Sequence, residues 1–207
     1  MKNTALHGSE PVSSWVARWS HLVKPQGSVL DVACGRGRHA KWFYERNHAV
    51  ALVDRAQDAI DSIAIHGDRC EMVVADIENG PWPFTGRQFD AVVVTNYLWR
   101  PLFPNLLASL ALGGVFIYET FTAGNETVGK PSRPDFLLRT GELLVWCKPL
   151  RIVAFEDVFE AGPAEESPRF MQRIAAVREA PVESPTSGPG PRPRPRPAAT
   201  PARYRLS

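Results

Sequence analysis

Four short stretches of this chain end in residues able to grip a small ligand. The first, DVACGRGRHA at residues 31–40, sets Asp31 four residues before Gly35, with Gly37 and the small Ala40 beyond. Glycines so placed let backbone approach a ligand that a β-carbon would push away. The second, AVALVD, ends in Asp54, seventeen residues beyond Gly37, with Arg55 beside it. A carboxylate there can accept both hydroxyls of a ribose. The third, EMVVAD, ends in Asp76, followed by Ile77: an acceptor for an exocyclic amine beside a cover for a flat ring. The fourth, FDAVVVTN, ends in Thr95 and Asn96, with Tyr97 next. Together they describe a nucleotide site.

Strands must carry these residues, because in an open α/β sheet ligands bind beyond the C-terminal strand ends, where the strand order reverses. Residues 28–33, 49–54, 71–76, 89–96 and 115–120 read as strands, apolar enough to be covered on both faces. Helical periodicity fills 13–23, 36–47, 56–65 and 101–110, the last ended by Gly113-Gly114, and a short helix is expected around 140–147. Residues 151–160 and 169–179 alternate in polarity and read as an antiparallel pair. The expectation is a Rossmann-like, doubly wound α/β sheet of seven strands, mostly parallel with an antiparallel last strand.

The glycine loop and Asp54 suit a dinucleotide as well as any other nucleotide. Three features favour a ligand without phosphates. Asp31 would repel a pyrophosphate seated at the loop, whereas it would attract an ammonium or a sulfonium. Asp76-Ile77 suits an adenine. The antiparallel pair stands where a dinucleotide fold would continue with a parallel sixth strand. S-Adenosylmethionine meets all three conditions.

These four motifs, with LGGVFIYE at 112–119, resemble the class I S-adenosylmethionine-dependent methyltransferases over roughly residues 10–180. Within that group GRGRHA, FLLRTGELL and FEDV are most similar to the small tellurite-resistance-type methyltransferases. The resemblance implies that Asp31, Ala33, Gly35 and Gly37 line the methionine part of the cofactor. Asp54 and Arg55 would serve the ribose and adenine, and Asp76 and Ile77 the adenine. Thr95, or its neighbours Asn96 and Tyr97, would close over the sulfonium. TNYL stands where methyltransferases acting on planar nitrogens carry an NPPY-type motif, which argues against adenine or glutamine as the acceptor.

Glu119 and Tyr97 are candidate catalytic groups at the strand ends. Asn125, Glu126, Thr127 and Lys130 form a possible lid in a long loop. Arg38 and His39 are either a solvated first helical turn or contacts near the cofactor carboxylate. Cys34 reads as packing, since no base stands beside it. Trp15 and Trp19 read as core. The three cysteines form no CxxC, so neither a disulfide framework nor a metal site is expected.

The net charge of +2 is unevenly placed. Residues 181–207 carry five arginines against Glu183, leaving the rest about −2, which is not a nucleic-acid-shaped body. That proline- and arginine-rich stretch reads as a disordered tail beyond a methyltransferase domain at 1–180. The first residues hold no apolar signal segment, and no run suits a membrane helix, so a cytoplasmic protein is expected. A small-molecule nucleophile is the expected acceptor: a chalcogen oxyanion, thiol or metabolite. The alternatives are an RNA or protein methyltransferase using the basic tail, a methyltransferase-fold binding module without turnover, and a dinucleotide-dependent oxidoreductase.

Overall fold

The computed structural model describes residues 11–161, 167–180 and Tyr204. Seven strands form one sheet: β1 (Ser28–Val32), β2 (Ala49–Asp54), β3 (Cys70–Val74), β4 (Phe89–Thr95), β5 (Leu110–Phe121), β6 (Arg151–Glu160) and β7 (Arg169–Val177). Their order is β3-β2-β1-β4-β5-β7-β6. The first five are parallel, and β7 runs antiparallel to both neighbours. The chain builds outward from β1 to β3, then returns to lay β4 on the other side of β1. That reversal opens a crevice at the C-terminal ends of β1 and β4.

Both central strands are apolar because both faces are covered. Ala91, Val92, Val93 and Val94 of β4 are each fully buried. One side chain set joins Val92 and Val94 to Phe103, Leu106 and Leu143 on one face of the sheet. The other joins Val93 to Trp15, Trp19, Phe43 and Ile60 on the opposite face. Trp15 and Trp19 are thus core residues, and the Trp15 indole N–H donates to the Ile174 carbonyl at 3.2 Å.

The helices are shorter than their periodicity predicts: α1 (Ser14–Trp19), α2 (Arg38–Tyr44), α3 (Gln57–Asp61), α4 (Phe103–Ala108) and α5 (Glu142–Trp146). The Ser13 hydroxyl caps α1, accepting the N–H groups of Trp15 and Val16. Helix α2 begins at Arg38 rather than 36 because Gly37 is left-handed, at φ 72°. Gly113-Gly114 lies inside β5 and does not close the preceding helix. A β-carbon on Gly114 would stand 2.8 Å from the Ala111 carbonyl oxygen, so glycine lets β5 bulge there against β4.

After β5 the expected lid is tied down. Asn125 is buried; its side chain accepts the Phe170 N–H at 3.1 Å and donates to the Pro131 carbonyl at 2.9 Å. The tail, apart from Tyr204, and the N-terminal ten residues lie outside the described residues. Tyr204 donates its hydroxyl to Glu179 at 3.0 Å. Among the described residues no helix is long and apolar enough to cross a membrane.

Candidate functional site

The crevice holds a cavity of about 370 Å³ at the ends of β1, β2, β3 and β4. Ala33, Asp54, Arg55, Asp76, Ile77 and Tyr97 all line it, so the sheet brings together six residues predicted from separate motifs. Asn96, named only as a neighbour of Thr95, lines it too. Glu78 and Phe121 also form its wall, though no motif in the sequence pointed to them, and so does Phe136, the first residue of FLLRTGELL.

Asp54 is locked in place. One carboxylate oxygen accepts the Gly35 N–H at 2.8 Å and the other the Ala56 N–H at 2.9 Å. A carboxylate offers about four lone-pair positions, so two remain for a ligand. The glycine loop and strand-two acid are therefore one unit. Gly35 supplies the donor at φ 55°, and a β-carbon there would meet no protein atom within 4 Å.

Asp76 organises the turn after β3. It accepts from the Asn79 side chain at 2.9 Å and from the Glu78 and Asn79 N–H groups, and these bonds hold its carboxyl below the usual range. Ile77 is buried behind it.

Ala33 and Asn96 follow β1 and β4 directly, and both are left-handed, at φ 52° and 53°. Asparagine tolerates that conformation, whereas alanine pays roughly 1–2 kcal/mol for it. Both residues bend the chain over the cavity, where such strain collects at binding sites.

Four predicted residues are not part of the cavity lining: Gly35, which donates to Asp54, and Asp31, Gly37 and Thr95. Asp31 is buried beneath the loop, and its carboxylate accepts the Ala40 N–H at 3.0 Å. Its place in β1 turns the side chain toward α2 and away from the cavity. Burial raises its pKa to about 7. Gly37 shapes the turn; a β-carbon there would meet Ile63 at 3.0 Å. Thr95 faces His39, with its hydroxyl 3.4 Å from Nδ1, while Asn96 and Tyr97 reach the cavity. His39 is itself buried, and its other ring nitrogen accepts the Ser13 N–H at 3.4 Å. Burial lowers its pKa to about 3, so it is neutral and structural.

Of the two catalytic candidates, Tyr97 lines the first cavity and Glu119 a second. Burial, then the neighbouring Glu78 carboxylate, push the Tyr97 hydroxyl upward, so it keeps its proton. Glu119 is buried and ion-paired with Arg173 at 3.0 Å, and it lines a second cavity beyond the first. Cys34 is buried as well, and burial pushes its thiol upward.

Residues 29–112 match the family model described as a methyltransferase domain. No curated protein matches the chain by sequence. Solved structures do. TehB from Haemophilus influenzae is similar at a TM-score of 0.66 and 16% identity, over 81% of this chain and 63% of that one. A TehB-like SAM-dependent methyltransferase from Corynebacterium glutamicum gives 0.60 and 16%, over 83% and 90%. Coclaurine N-methyltransferase, solved with N-methylheliamine and SAH, gives 0.54 and 15%, over 70% and 49%. This chain thus spans under two thirds of the length of the first and third.

Residues 29–112 thus resemble a methyltransferase domain, and the chain has the fold of the TehB structures. The cavity presents a fixed acid, Asp54, with lone pairs left for a ligand, and the Asp76–Ile77 turn beside it.

Proposed function

We propose that this protein transfers the cofactor's methyl group to a small-molecule nucleophile. The observation that carries this reading is the single cavity framed by Asp54, Asp76, Ala33 and Asn96, with a second cavity opening beside it. Asp54 would accept the ribose hydroxyls, and Asp76 with Ile77 would take the adenine. Asp31, from beneath the loop, would favour the positive charge of the methionine part through space. When bound, S-adenosylmethionine supplies an electrophilic methyl on a sulfonium. The residues of this chain bind, orient and exclude water, which accounts for much of the acceleration of such a displacement.

No protein base is needed. Tyr97 stays protonated, and Glu119 is held by Arg173, so the acceptor must reach the site already nucleophilic. The N-methyltransferase neighbour was solved with a small molecule, which supports an acceptor of that size. The volumes of the two cavities, about 370 and 830 Å³, support an acceptor of that size.

The test is methyl transfer from labelled S-adenosylmethionine into a cell extract, followed by size fractionation. Label in the low-mass fraction is expected. Label confined to protein or RNA would refute the small-molecule reading. NADH binding with no binding of S-adenosylmethionine would refute the methyltransferase itself.

A further inference from the structure

Asn96 lines both cavities, so the first and the larger second one, of about 830 Å³, meet at the end of β4. One strand away stands Glu119, on the wall of the second cavity. It is in register with Thr95, and its carbonyl accepts the Asn96 N–H at 2.9 Å. Its side chain is only 6% exposed. One carboxylate oxygen, Oε2, accepts from Arg173 Nε at 3.0 Å, and none of the described hydrogen bonds uses Oε1. That leaves Oε1 with lone pairs for a donor.

The charge of Glu119 is only partly offset. Arg173 is its only ion-pair partner among the described residues, and the same guanidinium meets Glu160 at 2.6 Å and Glu156 at 3.3 Å. One buried cation thus serves three carboxylates, and on β7 it lies a strand further from Asn96 than Glu119 does. The other cations of this wall stand elsewhere. Arg169 is joined to Glu160 at 2.6 Å, and Arg38 donates to the Pro11 carbonyl at 3.4 Å and favours the ionised form of Asp31. Lys130 is exposed, where water and salt screen it.

A buried carboxylate at this point selects the nucleophile by charge. An uncharged amine forms its N–C bond as the methyl's bond to the sulfonium sulfur breaks, and that electron pair stays on sulfur. Positive charge passes to nitrogen, and the surplus N–H proton leaves to water after release. A carboxylate beside the nitrogen meets more positive charge in the transition state than before it, which is the condition for acceleration. A thiolate or an oxyanion arrives negative, so the same carboxylate opposes its entry.

We propose that the acceptor is an aliphatic amine that enters uncharged, with Glu119 accepting its N–H and stabilising the charge formed on nitrogen. This rests on the reading that the first cavity holds S-adenosylmethionine. Glu119 removes no proton before the attack.

Full-length protein is assayed with labelled S-adenosylmethionine against propylamine through hexylamine and benzylamine, the thiols of the same skeletons, and selenite. The rate enhancement over the uncatalysed reaction is largest for amines. Glu119→Gln keeps the shape and an acceptor for Arg173 but removes the charge. It lowers kcat for amines by about tenfold to a hundredfold and leaves the thiols unchanged or faster, whereas loss of a merely structural residue slows both alike. Calorimetry on protein loaded with S-adenosylhomocysteine gives a second readout. The N-methylammonium ions of the same skeletons bind more tightly than alcohols of equal length, and Glu119→Gln abolishes the difference. S-Adenosylhomocysteine still binds that variant, which shows that it folds. No transfer to any amine, a larger enhancement for thiols or selenite, an equal loss for amines and thiols in Glu119→Gln, or ammonium ions that bind no better than alcohols overturns the proposal. Failure of S-adenosylhomocysteine to bind the unaltered protein would instead remove the cofactor reading, and this inference with it.

Discussion

Asp31→Asn separates the stability of the site from its chemistry. The Asp31 carboxyl moves from an ordinary 3.8 to about 7 on folding, chiefly because burial penalises the ionised form, with the Ala40 N–H as partial relief. The folded state therefore holds this proton more tightly than the unfolded chain. The stability it contributes is complete below about pH 4 and lost as pH rises through 7. At about 1.4 kcal/mol per pKa unit the whole loss is about 4 kcal/mol, and about 2–3 kcal/mol of it falls between pH 5 and pH 8. His39 acts in the opposite sense. Burial lowers its pKa from 6.5 to about 3, so its contribution is present above 6.5 and lost as pH falls. Between pH 5 and 6.5 the two nearly cancel, and the unaltered protein shows a shallow profile. Asparagine keeps an acceptor for the Ala40 N–H but cannot ionise, and His39 is common to both proteins. The difference in melting temperature between Asp31→Asn and the parent should therefore rise from pH 5 to pH 8 by about 5–10 °C in favour of the variant. Scanning calorimetry without ligand reads this directly. A difference that stays flat across that range would refute a raised Asp31 pKa.

Asp54→Ala removes the acceptor for the Gly35 and Ala56 N–H groups and, on the proposed function, for the ribose; calorimetry should show S-adenosylmethionine affinity down by about tenfold to a hundredfold. Arg100 clamps Glu142 through two bonds of 2.8 and 2.9 Å and also donates to the Asp135 and Leu137 carbonyls, which brackets Phe136 of the cavity wall. Arg100→Ala should therefore raise KM for the cofactor several-fold with a smaller change in kcat, as steady-state kinetics would show. Truncation after residue 180 should leave KM for the acceptor and its salt dependence unchanged; a lower salt slope would point to a charged polymer as partner.

The sheet was legible in the sequence because a strand buried on both faces has to be apolar throughout, as Ala91–Val94 is. The antiparallel pair was read from alternating polarity, yet β7 lies between β5 and β6 and is buried continuously from Met171 to Val177, so it does not alternate. Helix lengths were not legible: the periodicity runs through Gly37, whose left-handed backbone starts α2 only at Arg38, and through 109–110, where α4 has already given way to β5, in which Gly114 lies against the Phe89 carbonyl of β4. The acids at the strand ends were also readable, since their place in the chain fixes which end of the sheet they occupy.

What composition and spacing determined by themselves was therefore the α/β class and the group of strand ends that meets at the crevice. Only the tertiary structure decided which way each side chain faces. Asp31 and Asp54 both belong to parallel strands, yet one is sealed under α2 and the other lines the cavity. The same packing paired Glu119 with Arg173, from more than fifty residues away in sequence, at 3.0 Å. Spacing along a chain fixes direction and periodicity, but whether a carboxylate meets water, a backbone N–H or a guanidinium depends on residues far away in sequence, and folding alone brings those together.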